Sequence, residues 1–182
     1  IVRIEDTDQE RFVPGGIEMQ LDSLRWLGLD WDEGPDIGGP HAPYVQSQRR
    51  ELYAAASTRL IEAGAAYECD CSPERLTMLR ERQKAQGLPP GYDNRCRSRP
   101  RQELQASGER GVPVVVRLKV PERGEISFED TVRGRITFDS ATIQDFVIMK
   151  SDGLPTYHLA HVVDDHEMRI THVIRGEEWI ST

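Results

Sequence analysis

The chain opens with a short, mostly apolar run that ends in a cluster of carboxylates. Residues 1–4 have the character of a buried strand, and Glu5, Asp6 and Asp8 follow at once. In an open α/β sheet, ligands bind beyond the carboxyl ends of the parallel strands. The segment therefore predicts a strand whose end carries acidic side chains to a binding site.

Hydrophobic spacing predicts helices over much of the first half of the chain. They are expected at residues 17–28, 47–64 and 72–87. Ser47 is the predicted N-cap of the second helix, whose apolar face carries Leu52, Ala56 and Leu60. Residues 29–46 are predicted to be mostly loop.

The second half of the chain is rich in residue patterns that are typical of β-strands. Residues 65–71 are predicted to be extended, and alternating patterns predict further strands at residues 112–120, 126–130, 135–139 and 146–150. An apolar run predicts another buried strand at 171–175. The pattern indicates an α/β sheet interrupted by an inserted segment that contains helices and a small antiparallel sheet.

The composition is that of a soluble globular protein. The chain has 182 residues, of which 37% are hydrophobic and 30% charged. No apolar run approaches the roughly 18 residues that a membrane span needs, and no signal peptide is present. We therefore expect a cytoplasmic protein with no membrane partner. Because the chain begins at Ile1 rather than at a methionine, we interpret it as a fragment of a longer protein.

The net charge of −8 is unevenly distributed along the chain. Residues 47–160 hold 18 basic against 16 acidic side chains, whereas the flanking residues hold 5 against 15. Within the middle segment, Arg95, Arg97 and Arg99 alternate with other residues, as does Arg101. The alternatives are an extended segment that contacts nucleic-acid phosphates and a solvated loop.

Several separated motifs occur in a fixed order along the chain. They are RIEDTD at residues 3–8, RFVPG at 11–15, DGLPTYHLA at 152–160, VVDDH at 162–166 and IRGEEW at 174–179. Together they resemble the catalytic domain of bacterial glutamyl-tRNA synthetases, which are class I aminoacyl-tRNA synthetases. The resemblance covers nearly the whole chain, with its specific motifs at the two ends.

The resemblance implies a fold, an activity and partners. The fold would be part of a Rossmann-like parallel sheet, formed by residues 1–46 and 161–182 and split by an α+β tRNA acceptor-binding domain at 47–160. The parent enzyme would activate L-glutamate with ATP and Mg²⁺, and would then transfer it to the 3′ end of tRNA(Glu).

The resemblance also implies a glutamate pocket. Glu5 would hold the α-ammonium group of the substrate, and Arg175 would pair with its side-chain carboxylate. Tyr157 would add a hydroxyl to the same pocket. His161 would also contact the substrate, at a position where several relatives carry asparagine.

Other interpretations of these residues remain open. Glu5 could pair with Arg3 or cap a loop, and Arg175 could pair with an aspartate at 164–165. Tyr157 could be a core aromatic with a polar tip.

Further roles follow from the same resemblance. Glu178 and Trp179 would meet ATP near the start of a helix that follows Gly176. Contacts to the tRNA are implied for Asp8 and Arg11, and the charge distribution described above adds Arg95, Arg97 and Arg99 as candidates. Asp164, Asp165 and His166 are interpreted as helix-surface and network residues.

The three cysteines form a Cys-x-Cys pair, Cys69 and Cys71, followed by Cys96. This pattern resembles the zinc site of some glutamyl-tRNA synthetases and of their queuosine-modifying relatives. In one family version a histidine supplies the fourth ligand, but Ser98 stands at that position here. In the queuosine-type pattern a tyrosine supplies it, and Tyr92 would take that role. The alternatives are a structural zinc site and three reduced thiols.

Two other functions are consistent with the sequence. They are a glutamyl-queuosine tRNA(Asp) synthetase and a catalytically silent tRNA-binding module of the same fold. The sequence contains neither a His-Ile-Gly-His-type motif nor a Lys-Met-Ser-Lys-type motif. We therefore expect this polypeptide alone to be nearly inactive as a glutamate–tRNA ligase.

Overall fold

The computed structural model describes residues 1–11 and 13–180. Phe12 of the RFVPG motif and residues 181–182 lie outside the described residues. The chain divides into two compact units. We call Ile1–Ala56 with Asp152–Thr182 the discontinuous unit, and Ser57–Ser151 the continuous unit. The assignment of tRNA binding to an inserted segment at 47–160 stays a prediction.

The architecture is mixed α/β with small sheets. The helices are α1 (Gly16–Trp26), α2 (Arg50–Glu62), α3 (Pro73–Ala85), α4 (Arg101–Glu109) and α5 (Tyr157–Glu167). The strands are β1 (Ala66–Cys69), β2 (Val115–Leu118), β3 (Glu125–Asp130), β4 (Gly134–Asp139) and β5 (Val147–Met149). Short 3₁₀ turns occupy Gln9–Arg11, Gln46–Arg49, Ser140–Thr142 and Glu177–Trp179.

The first three predicted helices are confirmed, and local chemistry explains their ends. The Ser72 hydroxyl accepts a hydrogen bond from the Arg75 amide at 3.3 Å, which caps α3. Gly64 follows α2 with φ of +70°, in the left-handed region that glycine adopts without steric cost.

The start and buried face of α2 differ from the prediction. The α-helix begins at Arg50, after the 3₁₀ turn, and the Ser47 side chain is not its cap. Instead, the Ser47 amide donates to Asp6 Oδ1 at 2.8 Å, so the acidic cluster itself satisfies this helix end. Tyr53 is fully buried, whereas Leu52 is 39% exposed. The buried face therefore includes Tyr53 together with Ala56, which was predicted, but not Leu52.

Helix α4 was not predicted from the sequence. Its buried side chains are Leu104 and Ser107, which is too thin an apolar pattern to show helical spacing. Tertiary packing within the continuous unit stabilises α4, because Leu104 belongs to a core cluster with Tyr67 and Cys96.

The predicted small antiparallel sheet is confirmed in the continuous unit. Its order is β1-β2-β5, and both pairings are antiparallel. Strands β3 and β4 form a separate hairpin, in which Gly134 adopts φ of +74°.

Two strand predictions at the ends of the chain do not hold as stated. Of the opening run, only Ile4 forms a bridge, parallel to Val45. Residues 171–175 are irregular and exposed, so the prediction of a buried strand is wrong, and Ile174 is 94% exposed. A strand needs a neighbour to satisfy its backbone, and no segment among residues 1–11 and 13–180 pairs with this one.

The core of the discontinuous unit is organised around a buried carboxylate, Asp164. It accepts hydrogen bonds from Arg49 Nε at 2.7 Å, from Gln46 Nε2 at 2.8 Å and from the Tyr53 hydroxyl at 2.8 Å. Burial and the neighbouring carboxylate raise the pKa of Tyr53, so the phenol remains a donor. Asp164 is thus a network residue, as predicted, but it is not on the helix surface.

No helix in the described part of the chain combines the length and the apolarity needed to cross a membrane.

Replacing Asp164 by alanine should strongly destabilise the discontinuous unit. The change leaves Arg49 buried without its counter-ion, which costs about 3–5 kcal/mol. All three tryptophans lie in this unit, so urea unfolding followed by their fluorescence measures the loss. Asp22→Ala, which removes an exposed partner of Arg25, is the control and should have little effect. A loss for Asp164→Ala below about 1 kcal/mol would contradict the argument.

Candidate functional site

A cleft in the discontinuous unit brings together the two ends of the described chain. It has a volume of about 290 Å³ and is lined by Arg3, Glu5, Asp165, His172 and Arg175 together with apolar side chains. Small-molecule sites range from about 300 to 1,000 Å³, so this cleft suits a small ligand. Glu5 and Arg175 place opposite charges in one cleft, although they are 170 positions apart in the sequence.

Glu5 is held by an arginine within this cleft. Its Oε1 accepts a hydrogen bond from Arg3 Nη2 at 2.9 Å, and the Glu5 side chain stays 40% exposed. Arg3 also donates through Nη1 to Asp165 Oδ1 at 2.7 Å. The interpretation that Glu5 pairs with Arg3 is therefore correct, and Glu5 lines the cleft at the same time.

Arg175 makes no ion pair within residues 1–11 and 13–180. Asp164 and Asp165, its suggested partners, pair with Arg49 and Arg3 instead. The Arg175 guanidinium lies over the Tyr157 ring, with 5.2 Å between Cζ and the ring centroid. Its donors are thus available to an anion.

Tyr157 and His161 extend this stack along helix α5. Their rings are nearly parallel, at 24°, with centroids 4.5 Å apart. His161 Nδ1 lies 2.7 Å from the Tyr157 carbonyl oxygen, which can only accept, so Nδ1 carries a proton. Burial lowers the pKa of His161, against the opposing effect of Asp165 and Glu5. A neutral ring with Nδ1 protonated leaves Nε2 as an acceptor.

Tyr157 and His161 are not among the residues that line the cleft, and neither are the remaining predicted residues near the two chain ends. Arg11 Nε donates to the Asp8 carboxylate, and this hydrogen bond lowers the pKa of Asp8. Both side chains are exposed. Glu178 and Trp179 lie in the last 3₁₀ turn, and Trp179 is 52% exposed. Their predicted tRNA and ATP contacts stay predictions.

The arginine-rich segment of the continuous unit forms turns before α4, so the alternative of an extended segment does not hold. Arg97 is partly buried and donates to both Asp145 oxygens, at 2.7 and 2.6 Å. Arg99 donates to Asp70 at 2.6 Å, and this bond raises its pKa. Only Arg95 of the three has a guanidinium without a partner in the described part of the chain. Arg95 is therefore best placed for the predicted phosphate contact.

Asp145 is an organising residue that the sequence analysis missed. Besides Arg97, it accepts hydrogen bonds from the Tyr67 hydroxyl at 2.7 Å and from the Val120 amide at 2.9 Å. Arg117 binds its backbone carbonyl at 2.8 Å. Because these partners are 25 to 78 residues away in sequence, no local pattern could have shown the cluster.

The predicted metal ligands do converge in the continuous unit. The sulfur atoms of Cys69, Cys71 and Cys96 all lie within 4.8 Å of one another. The Tyr92 hydroxyl is 3.3 Å from Cys69 Sγ and 3.8 Å from Cys71 Sγ. Ser98 is exposed. The structure thus brings Tyr92 to the cysteines as a fourth potential ligand.

Two guanidinium groups, each paired with a carboxylate, lie beside this cysteine cluster. Arg75 Nη1 lies 3.5 Å from Cys71 Sγ, and Arg99 Nη1 lies 3.8 Å from Cys96 Sγ. A hydrogen bond from Cys96 lowers the pKa of Cys69. The same hydrogen bond raises the pKa of Cys96, so Cys69 is the cysteine that carries the thiolate, the form that binds metals.

His161 should make the stability of the discontinuous unit depend on pH. Because burial depresses its pKa below the ordinary value of 6.5, its contribution is present above that pH and is lost as the pH falls through the lowered value. Melting temperatures between pH 8 and 5 should decline less steeply in His161→Asn. Part of the pH dependence of the melting temperature should remain in this variant, because burial also lowers the pKa of His158. His166→Asn, at an exposed position of α5, should retain the wild-type slope, and equal slopes for all three proteins would contradict the expectation.

Comparison with known proteins gives consistent matches across the whole chain. Residues 1–182 match the family described as tRNA synthetases class I (E and Q), catalytic domain. The glutamate–tRNA ligase of Fusobacterium nucleatum is 54% identical over 99% of this chain and 35% of its own length. That of Dehalococcoides mccartyi is 56% identical over 99% of this chain and 36% of its own. The chain thus spans about a third of the length of these relatives.

Solved structures agree with the sequence comparison. The crystal structure of a glutamate–tRNA synthetase from Elizabethkingia anophelis has a TM-score of 0.90 at 42% identity, over 98% of this chain and 38% of that one. A glutamate–tRNA ligase from Elizabethkingia meningosepticum, in complex with its amino acid, has a TM-score of 0.91 at 42% identity, over 98% and 37% of the two chains. The chain therefore belongs to the class I tRNA synthetases of the glutamate and glutamine type and forms part of their catalytic domain.

Proposed function

We propose that this chain is part of a glutamate–tRNA ligase and that its cleft binds L-glutamate. The observation that carries the proposal is the presence of Glu5 and Arg175 in the lining of one small cleft. L-Glutamate has an ammonium group at one end and a carboxylate at the other. Glu5 would accept hydrogen bonds from the ammonium, and Arg175 would pair with the side-chain carboxylate.

Arg175 also offers a physical basis for preferring glutamate to glutamine. A guanidinium presents two parallel donors, which both find acceptors on a carboxylate. A carboxamide has one acceptor oxygen and an NH₂ group that would face a donor. Stacking on Tyr157 supports the orientation of the guanidinium, which no carboxylate of the described residues neutralises.

The reaction of the parent enzyme would proceed in two steps. The α-carboxylate of glutamate would attack the α-phosphorus of ATP, forming glutamyl-adenylate and releasing pyrophosphate. A ribose hydroxyl at the 3′ end of the tRNA would then attack the activated carbonyl and release AMP. Mg²⁺ would neutralise phosphate charge in the first step.

Within this scheme the remaining candidate residues have separate roles. Glu178 and Trp179 would approach ATP, and Trp179 has an exposed indole face that can support a base. Separate candidates for contacts with the tRNA are Asp8 and Arg11 in the discontinuous unit and Arg95 in the continuous unit. Of these, Arg95 is the most direct candidate for a phosphate contact, because its guanidinium has no partner among the described residues.

The similar proteins favour this function over the two alternatives. The relatives and solved structures named above are glutamate–tRNA ligases or synthetases. One of them was crystallised in complex with its amino acid. A silent tRNA-binding module would have no physical need for an unpaired guanidinium and a carboxylate in the same cleft.

We also propose that Cys69, Cys71, Cys96 and Tyr92 bind a structural zinc ion. Tetrahedral zinc with Zn–S bonds of about 2.3 Å places its sulfur ligands about 3.8 Å apart. The distance between Cys71 Sγ and Cys96 Sγ is 3.6 Å, so these residues fit. The bound ion would join β1 to the turn at residues 92–96, and its charge would displace the protons of the thiols and the phenol.

A nearby positive charge in the continuous unit supports Tyr92 as a zinc ligand. Burial raises the pKa of Tyr92, which by itself keeps the phenol protonated. The guanidinium of Arg117 lies over its ring, with 3.8 Å between Cζ and the ring centroid. That positive charge favours the phenolate when a cation is bound beside it.

Replacing Arg175 by alanine should abolish the preference for glutamate. Calorimetric titration of the full-length enzyme with glutamate and then with glutamine tests this. We expect glutamate affinity to fall by at least about tenfold, because the charge-assisted pair contributes more than 1.4 kcal/mol, while glutamine binding changes much less. Arg59→Ala, at an exposed arginine of α2, is the control and should bind like the wild type. An unchanged glutamate-to-glutamine ratio in Arg175→Ala would refute the assignment.

Metal analysis of protein purified without chelator should find about one zinc ion per chain. Tyr92→Phe removes one proposed ligand oxygen while keeping the ring under Arg117, so zinc release to a chromogenic chelator should become at least about tenfold faster. Ser98→Ala should release zinc at the wild-type rate. Well under one zinc ion per wild-type chain, or equal release rates for wild type and Tyr92→Phe, would overturn the zinc proposal.

A further inference from the structure

Arg3 lies among three carboxylates in the discontinuous unit. Its Nη2 donates to Glu5 at 2.9 Å and its Nη1 to Asp165 at 2.7 Å, while its Nε is 3.8 Å from Asp164 Oδ2. The Arg3 side chain is only 14% exposed. Burial alone would lower the pKa of Arg3, but its hydrogen bonds to Asp165 and Glu5 raise it. The residue is therefore a fixed cation in the lining of the cleft.

Glu5 depends on Arg3 for its orientation. In the described part of the chain, Arg3 is the partner of the Glu5 carboxylate, which it engages through Oε1. The Oε2 atom is left to accept from a ligand. A flexible glutamate side chain loses conformational entropy when it binds, and a partner that fixes it beforehand reduces that cost.

Arg3 is in turn anchored to the rigid part of the unit. Asp165 belongs to helix α5, as does Asp164, whose oxygens are already bound by Arg49, Gln46 and Tyr53. The Arg3 Nε atom is buried without a hydrogen-bond partner, because Asp164 lies beyond hydrogen-bond distance. Arg3 therefore lies between Asp165 and Glu5 with one of its donors, Nε, unsatisfied.

The charges of this cluster leave one negative charge without a counter-ion. Glu5, Asp164 and Asp165 contribute three negative charges, and Arg3 and Arg49 contribute two positive ones. His161, nearby on α5, is neutral because burial lowers its pKa. A ligand with a single ammonium group would neutralise the cluster.

We propose that Arg3 is a positioning residue that holds Glu5 in the orientation in which it receives the α-ammonium group of the substrate. The inference rests on the proposed function, because it takes L-glutamate as the ligand of the cleft. Arg3 itself would not touch the substrate. It acts through Glu5 Oε1, and only a forked guanidinium reaches Glu5 and Asp165 at once.

Positioning can be separated from simple electrostatics, because the two predict opposite effects. Removing Arg3 makes the cluster more negative, which by charge alone would strengthen the binding of an ammonium group. If Arg3 orients Glu5, its removal weakens that binding instead. The direction of the change is therefore diagnostic.

The test measures the KM for glutamate in ATP–pyrophosphate exchange by the full-length enzyme. Arg3→Met, Glu5→Gln and the double variant form a mutant cycle. We expect Arg3→Met to raise the KM for glutamate about tenfold or more and to leave the KM for ATP unchanged. In the Glu5→Gln background the same substitution should have little further effect, because the carboxylate through which it acts is gone. Arg25→Met, which removes an exposed ion pair of α1, should behave like the wild type.

A second variant guards against misfolding of Arg3→Met. Asp165→Asn keeps the arginine but weakens its anchor, and should raise the KM for glutamate in the Glu5 background only. Melting temperatures accompany every measurement. An unchanged or lower KM for glutamate in Arg3→Met, or equal effects with and without Glu5, would overturn the role of Arg3. If Glu5→Gln alone left the KM for glutamate unchanged, the proposed substrate role of Glu5 would fail instead.

Discussion

The hydrogen bonds to Asp164 are the interaction on which the discontinuous unit depends. A fully buried carboxylate is costly unless charged and polar donors surround it. Arg49, Gln46 and Tyr53 provide these donors, and they come from the segment around the start of α2. Since Asp164 belongs to α5, these bonds join parts of the chain more than 100 residues apart. The cleft lies next to these hydrogen bonds, which hold the residues that line it in fixed positions.

The continuous unit uses the same physical solution around a different carboxylate. Asp145 collects Arg97, the Tyr67 hydroxyl and the Val120 amide, and it connects the turn before α4 to the three-stranded sheet. The cysteine cluster lies beside this framework, with Tyr67 and Cys69 on the same strand, β1. In small units with few large apolar side chains, satisfied polar networks specify one arrangement of the chain. Arg97, a predicted nucleic-acid contact, is used instead to form this polar network.

Local chemistry made part of this organisation readable from the sequence. The cap at Ser72, the glycine after α2 and the turn of the β3–β4 hairpin depend on residues only a few positions apart, and the helices and strands that they bound were predicted. The convergence of the cysteines with Tyr92 followed from family resemblance rather than from spacing. Helix α4 was missed because one buried leucine and one buried serine do not make a visible helical period. The predicted strand at 171–175 was wrong because apolar character does not supply a pairing partner.

The sequence by itself determined the family, the order of most helices and strands, and the residue types available to a glutamate site. Those properties are encoded in contiguous motifs and in short-range backbone preferences. Only the tertiary structure decided that Asp164 is buried, that Arg97 pairs inside its unit, and that Arg3 stands between Glu5 and Asp165. The reason is the distance along the chain between the charged partners. Arg97 and Asp145 are 48 residues apart, Arg49 and Asp164 are 115 apart, and Arg3 and Asp165 are 162 apart. A hydrogen bond at that separation is fixed by the packing of the chain and leaves no periodic signal in the sequence.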